Sequence, residues 1–66
     1  MKMIDERIGK RVEIAPHYDL WMRGARTGVV RMIKHGKDGQ VILAIKMDNA
    51  SVRKLARIYA DEVTYL

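Results

Sequence analysis

Apolar and polar residues alternate along much of this chain with a period of two, the pattern of strands that bury one face. In Lys10-Arg11-Val12-Glu13-Ile14-Ala15 the alternation turns Val12 and Ile14 inward and Arg11 and Glu13 outward. Pro16 lacks an amide donor and ends that pairing. In Gln40-Val41-Ile42-Leu43-Ala44-Ile45-Lys46-Met47, Val41, Leu43, Ile45 and Met47 line a core, leaving Ile42, Ala44 and Lys46 on the other face. Between these two strands, Gly28 opens Val29-Val30-Arg31-Met32-Ile33-Lys34. This stretch is apolar on both sides, as suits a strand that bends to serve two halves of a barrel. His35-Gly36-Lys37-Asp38-Gly39 reads as the hairpin joining it to the next strand, with Asp38 and Gly39 as residue types that tolerate positive φ.

The connecting segments are less regular. Residues 17–27 read as one long loop, in which Leu20 and Trp21 tuck under the chain, and a loop of that length in a small domain is commonly functional or internally packed. Asp48-Asn49-Ala50-Ser51 is a turn. After it, Val52, Leu55, Ala56, Tyr59 and Val63 fall at helical spacing behind a candidate Ser51 cap, while Val52, Ala56 and Ile58 also fit one face of a strand. Pairing with the preceding strand through a short turn favours a strand over residues 52–59. Ala60-Asp61-Glu62-Val63 then makes one helical turn before a last strand over residues 63–66. The expected fold is all-β, a small five-stranded barrel with a long first loop and one short helical turn before the last strand. Residues 1–8, mixed and charged, are a lead-in, and residues 9–66 form the single domain.

A chain of 66 residues can bury only about 60% of its unfolded surface, so its core is small. With no cysteine and two histidines, disulfides and a structural zinc site are not expected, and no metal or other cofactor is called for. No apolar run is long enough for a membrane span or a signal peptide, which points to a cytoplasmic protein without a membrane partner.

Element order then carries a resemblance. Strand, long loop, bent strand, hairpin, strand, turn, strand, helical turn and short strand, from Gly9 to Leu66, resemble the SH3-like barrel superfold. Gly9-Lys10-Arg11-Val12-Glu13-Ile14, Gly24 and Gly28-Val29-Val30 look like the KOW-type version found in ribosomal and transcription-associated proteins. Residues 12–30 also resemble the peripheral SH3-like subunit of photosystem I. Arg57-Ile58-Tyr59 and the residues after it are similar to the end of the type II plasmid dihydrofolate reductases, tetrameric barrels whose Gln-Ile-Tyr triplet binds substrate and cofactor. Ile58 and Tyr59 match that triplet, and Arg57 stands in place of its glutamine.

Charge decides between function classes. Thirteen Lys and Arg against eight Asp and Glu leave a formal charge of +5, which either serves solubility or favours polyanionic partners. Catalytic groups are sparse: His17 and His35 sit in turns, Asp61-Glu62 reads as the start of the helical turn, and no phosphate-binding glycine loop occurs. No catalytic residue is assigned, and an enzyme is disfavoured. Cations are concentrated, however. Arg23, Arg26, Arg31, Lys34 and Lys37 follow one another with no acid between them, and Arg53, Lys54 and Arg57 add to them. Gathered at one rim beside Tyr18 and Trp21, these ten residues form a candidate nucleic-acid surface, cations on phosphates and rings on bases. Trp21, the largest apolar side chain in the sequence, suits the core of the long loop somewhat better than a contact role. The alternative class is a protein-binding adaptor or self-associating subunit, docking through Ile42, Leu55 or Tyr59 on an outer face. A reductase-like tetramer is the remote third reading.

Overall fold

The computed structural model describes residues 6–66; the first five residues of the expected lead-in lie outside this range. It contains five antiparallel strands in a single sheet of order β4-β3-β2-β1-β5: β1 Arg11–Ile14, β2 Thr27–His35, β3 Val41–Met47, β4 Ala56–Tyr59 and β5 Val63–Tyr65. A single helical turn, α1 Asp19–Met22, interrupts the first loop, and a 3-10 turn, Ala60–Glu62, joins β4 to β5.

The topology forces the sheet to roll up. β4 and β5 are its two edges, and four interstrand steps of about 4.8 Å would hold them about 19 Å apart in a flat sheet. The three residues between them reach less than about 14 Å even when fully extended, and far less as a 3-10 turn. The edges are therefore folded toward each other, and the inward residues of both halves meet in one core. That core is Val12, Ile14, Ala25, Val30, Leu43, Ile45, Met47, Ala56 and Ile58, with no buried polar or charged residue among those described. The inward faces expected for β1 and β3 are those observed, except that Val41 is only half-buried and Ala44, on the outer face, is also covered.

β2 bends where its apolar pattern predicts. Its register against β3 slips between Val30 and Met32, a bulge at Arg31 that leaves one residue without a partner. Val30 is buried, Arg31 and Met32 are exposed, and Ile33 packs against the core. The bulge thus presents two consecutive side chains, Arg31 and Met32, on the outer face.

Three expectations need correction. The fourth strand is shorter than residues 52–59: only Ala56–Tyr59 pairs with β3, because an irregular link over 52–55 follows the expected turn at 48–51. Asn49 holds it, taking Ser51 N–H (2.9 Å) and Ser51 Oγ (2.7 Å) on its Oδ1 while its carbonyl accepts from Val52 N–H (3.0 Å). Such side-chain bonds offer the backbone an alternative to the ladder. In the β2–β3 hairpin only Gly39 has positive φ, +77°. The bonds Gly39 N–H to Gly36 O (3.3 Å) and Gly36 N–H to Gln40 O (2.7 Å) make this a three-residue loop with a left-handed last residue, so Asp38 is not required to adopt that conformation. His35, read as a turn residue, is the last residue of β2.

Candidate nucleic-acid interface

The long loop is organised by α1 and its ending. Gly24 takes φ +86°, Ala25 N–H reaches back to Leu20 O (2.8 Å) and Gly24 N–H to Trp21 O (3.1 Å). These are the paired bonds of a helix stop that needs a left-handed residue, the conformation glycine adopts without a side-chain clash. The reversal buries Ala25 and lays Leu20 and Trp21 on the core. One face of Trp21 is thereby used in packing, and the Arg26 guanidinium lies over the ring, 4.8 Å from its centroid. Trp21 and Arg26 stabilise each other as a cation–π pair. Arg23 is exposed, and its carbonyl accepts a weak bond from Asn49 Nδ2 at 3.5 Å.

Tyr18 is also committed. Its hydroxyl donates to Glu62 Oε2, its ring stacks on His17 at 4.4 Å between centroids, and His17 Nε2 lies 3.2 Å from the same carboxylate oxygen. This cluster fastens the start of the long loop to the 3-10 turn, across the seam where the sheet edges approach. Burial pushes the Tyr18 phenol up to about 12 from an ordinary 10.0, and the Glu62 carboxylate adds to the shift by accepting its proton and repelling its anion. Because the folded value is the higher one, this contribution is full below pH 10 and is lost as pH climbs to 12. Tyr18→Phe is expected to lower stability by about 1 kcal/mol near neutral pH, one charge-assisted bond at a half-exposed site. Urea midpoints measured against pH check this: the gap between wild type and Tyr18→Phe should close over pH 10–12.

The ten sequence-predicted residues do not share one rim. Tyr18, Trp21, Arg23 and Arg26 precede β2, whereas Lys37 follows it at the tip of the hairpin. The nine-residue strand separates the two ends by up to about 26 Å at about 3.3 Å per residue. Arg53 is exposed in the link before β4. The remaining four come together on the outer face of β2, β3 and β4. Cross-strand rows place Met32 beside Ala44 and Ala44 beside Arg57, then Lys34 beside Ile42 and Ile42 beside Tyr59. Met32, Lys34, Ala44, Lys54, Leu55 and Arg57 line a shallow groove of about 300 Å³, with Arg31 presented next to it by the bulge. Lys46, outward and exposed on β3 opposite Val29, adds a fifth cation.

This face is both cationic and apolar. Met32, Leu55 and Tyr59 are 50%, 39% and 42% exposed. None of Arg31, Lys34, Lys46, Lys54 and Arg57 has an ion-pair partner among the described residues. The strands that carry Arg31, Lys34, Lys46 and Arg57 contain no acid, nor does the stretch 52–55 that carries Lys54. The acids lie elsewhere: Asp48 is held by Arg11 and, at 2.7 Å, by Thr27 Oγ1, and Asp61 and Glu62 border a separate hollow of about 500 Å³ with Gly39, Gln40, Val41 and Tyr59. That larger hollow has two carboxylates on its wall and is the poorer match to a polyanion. Sequence reasoning passed over Lys46 and Met32 as site residues. Their signal was the same alternation that defines the core, read on the opposite face and shifted by one residue after the bulge. Of the Arg57-Ile58-Tyr59 triplet, Arg57 and Tyr59 point outward while Ile58 is 2% exposed and belongs to the core.

Among the described residues no helix is long and apolar enough to cross a membrane, and no three His, Asp or Glu side chains gather as metal ligands. Compared with known protein families, curated proteins and solved structures, the chain has no match.

Proposed function

We propose that this protein is a small non-catalytic module that binds nucleic acid through the outer face of β2, β3 and β4. One observation carries the reading: Arg31, Lys34, Lys46, Lys54 and Arg57 share that face, with no acid and no ion pair on it among the described residues. Unpaired surface cations this close together repel one another, and an anionic polymer relieves that repulsion while releasing its condensed counterions. The resemblance to KOW-type barrels of ribosomal and transcription-associated proteins points the same way.

The apolar floor formed by Met32, Ala44 and Leu55 favours, as a second reading, a protein partner. Face-to-face self-association is disfavoured because it would bring two sets of five cations together, so such a partner would have to be acidic.

The test separates the cations of the face from the rest. Lys34→Glu, Lys54→Glu and Arg57→Glu combined should weaken binding of an oligonucleotide on the order of 100-fold at low salt. Lys37→Ala, at the hairpin tip, should change it by less than about threefold at about 0.1 M salt, where one lost charge is screened over about 10 Å. Fluorescence anisotropy at several salt concentrations reads both. Equal losses from the two variants, or no binding at low salt, would end the proposal.

A further inference from the structure

Resting on that reading, we infer that the ligand is unpaired nucleic acid, with bases laid on the apolar floor of the groove and on Tyr59 and the phosphates held by the surrounding cations.

A duplex offers a protein its phosphate ridges and its groove edges. Reading the grooves takes a helix or a two-stranded ribbon that projects into them. Here the cations lie on the face of a sheet, and the one α-helical turn among the described residues, Asp19–Met22, contributes no residue to the groove lining. A duplex on this face would set its charged ridges against Met32, Leu55 and Tyr59, stripping water from phosphates without offering these side chains an apolar partner. Unstacked bases have apolar faces of their own and cover such side chains favourably, and an aromatic ring gives them a stacking surface whatever their identity.

The charge layout fits the same division. Lys34 lies one strand from Ile42 and two from Tyr59 in one cross-strand row, and Arg57 lies two residues from Tyr59 on the same face of β4. On the other side of Tyr59 stand Asp61 and Glu62, which repel phosphate. A strand crossing this face therefore keeps its backbone on the Lys34, Lys54 and Arg57 side. Tyr59 is left to a base.

The experiment compares three labelled probes at low salt: a single strand of about 12 nucleotides, within the site sizes of small barrels, the matching duplex, whose doubled charge favours it if charge alone decides, and an acidic peptide without aromatic residues and with the charge of the single strand. The single strand should bind at least about tenfold more tightly than the duplex. Its affinity should fall with salt at a log–log slope of about −2 to −3.5, the value for three to five neutralised phosphates. Tyr59→Ala should weaken the single strand about 5- to 140-fold, the equivalent of one lost stacking contact, and leave duplex binding unchanged. Tyr59→Phe should retain the wild-type preference, which shows that the ring and not the hydroxyl acts. Duplex binding as tight as the single strand, or an unchanged affinity in Tyr59→Ala, overturns the inference while leaving nucleic-acid binding through this face standing. Binding of neither nucleic acid, or tighter binding of the peptide, overturns both.

Discussion

Gly28→Ala is expected to leave the protein largely unfolded. A methyl group at this position would stand 2.6 Å from Ile45 Cγ2, 2.6 Å from the Lys46 carbonyl oxygen and 2.9 Å from Met47 Cα. The last two are backbone atoms of β3, the central strand of the β2–β3–β4 half, so no side-chain rotation relieves the contact. Overpacking costs about 1–3 kcal/mol where the surroundings can shift, and more where backbone must move. A single core of this size supplies only about 3–5 kcal/mol in total. Gly24→Ala is the informative contrast: its Cβ would meet only Asn49 Nδ2, at 3.7 Å, and the cost is that of holding alanine at positive φ, about 1–2 kcal/mol. Urea unfolding followed by circular dichroism checks the order. A Gly28→Ala protein within about 1 kcal/mol of wild type would mean that β3 does not press on β2 as closely as described.

Gly28 also marks what the sequence could say about this fold. Its position between Thr27 and the paired valines announced the start of a bent strand, and the strand is there. The reason glycine is required, the passage of β3 over it, is a contact between residues 17 to 19 positions apart, which local pattern does not carry. The same limit explains the other differences. Alternation located β1, β3 and the core because it reflects the one-sided burial of each strand. It overestimated β4 because Val52 continues the apolar pattern, while the chain there is held by Asn49 bonding its own neighbours.

The candidate site was legible as a set of cations and not as a surface. Along the chain Arg23 to Lys37 form one run, but the nine residues of β2 carry the two ends of that run to opposite ends of the sheet. Tyr18 read as a free ring, and Trp21 as either the core of the loop or a contact residue. Long-range partners, Glu62 across the seam and the core under the loop, turn them into fasteners. What gathers Arg31, Lys34, Lys54 and Arg57 is strand order together with the one-residue slip at the bulge, and neither is visible before the pairing is known.

Ile58→Ala is the second large effect expected, a loss of about 2–5 kcal/mol for removing a buried aliphatic side chain with limited collapse around it. Ile58 is 2% exposed and sits opposite Leu43, which is fully buried, so the cavity opens at the centre of the core and not at its rim. Its neighbours on the same four-residue strand give the opposite outcome. Arg57→Ala and Tyr59→Ala remove outward side chains and should change stability by less than about 0.5 kcal/mol, while they weaken binding. β4 thus separates the two properties residue by residue: Ala56 and Ile58 are buried in the core, and Arg57 and Tyr59 lie exposed on the proposed binding face. Thermal and urea unfolding of the three variants beside their oligonucleotide affinities measure that separation directly. Should Ile58→Ala stay as stable as wild type and lose only binding, Ile58 would be a contact residue and not part of the core between β4 and β3, and the reductase-like triplet would regain its claim.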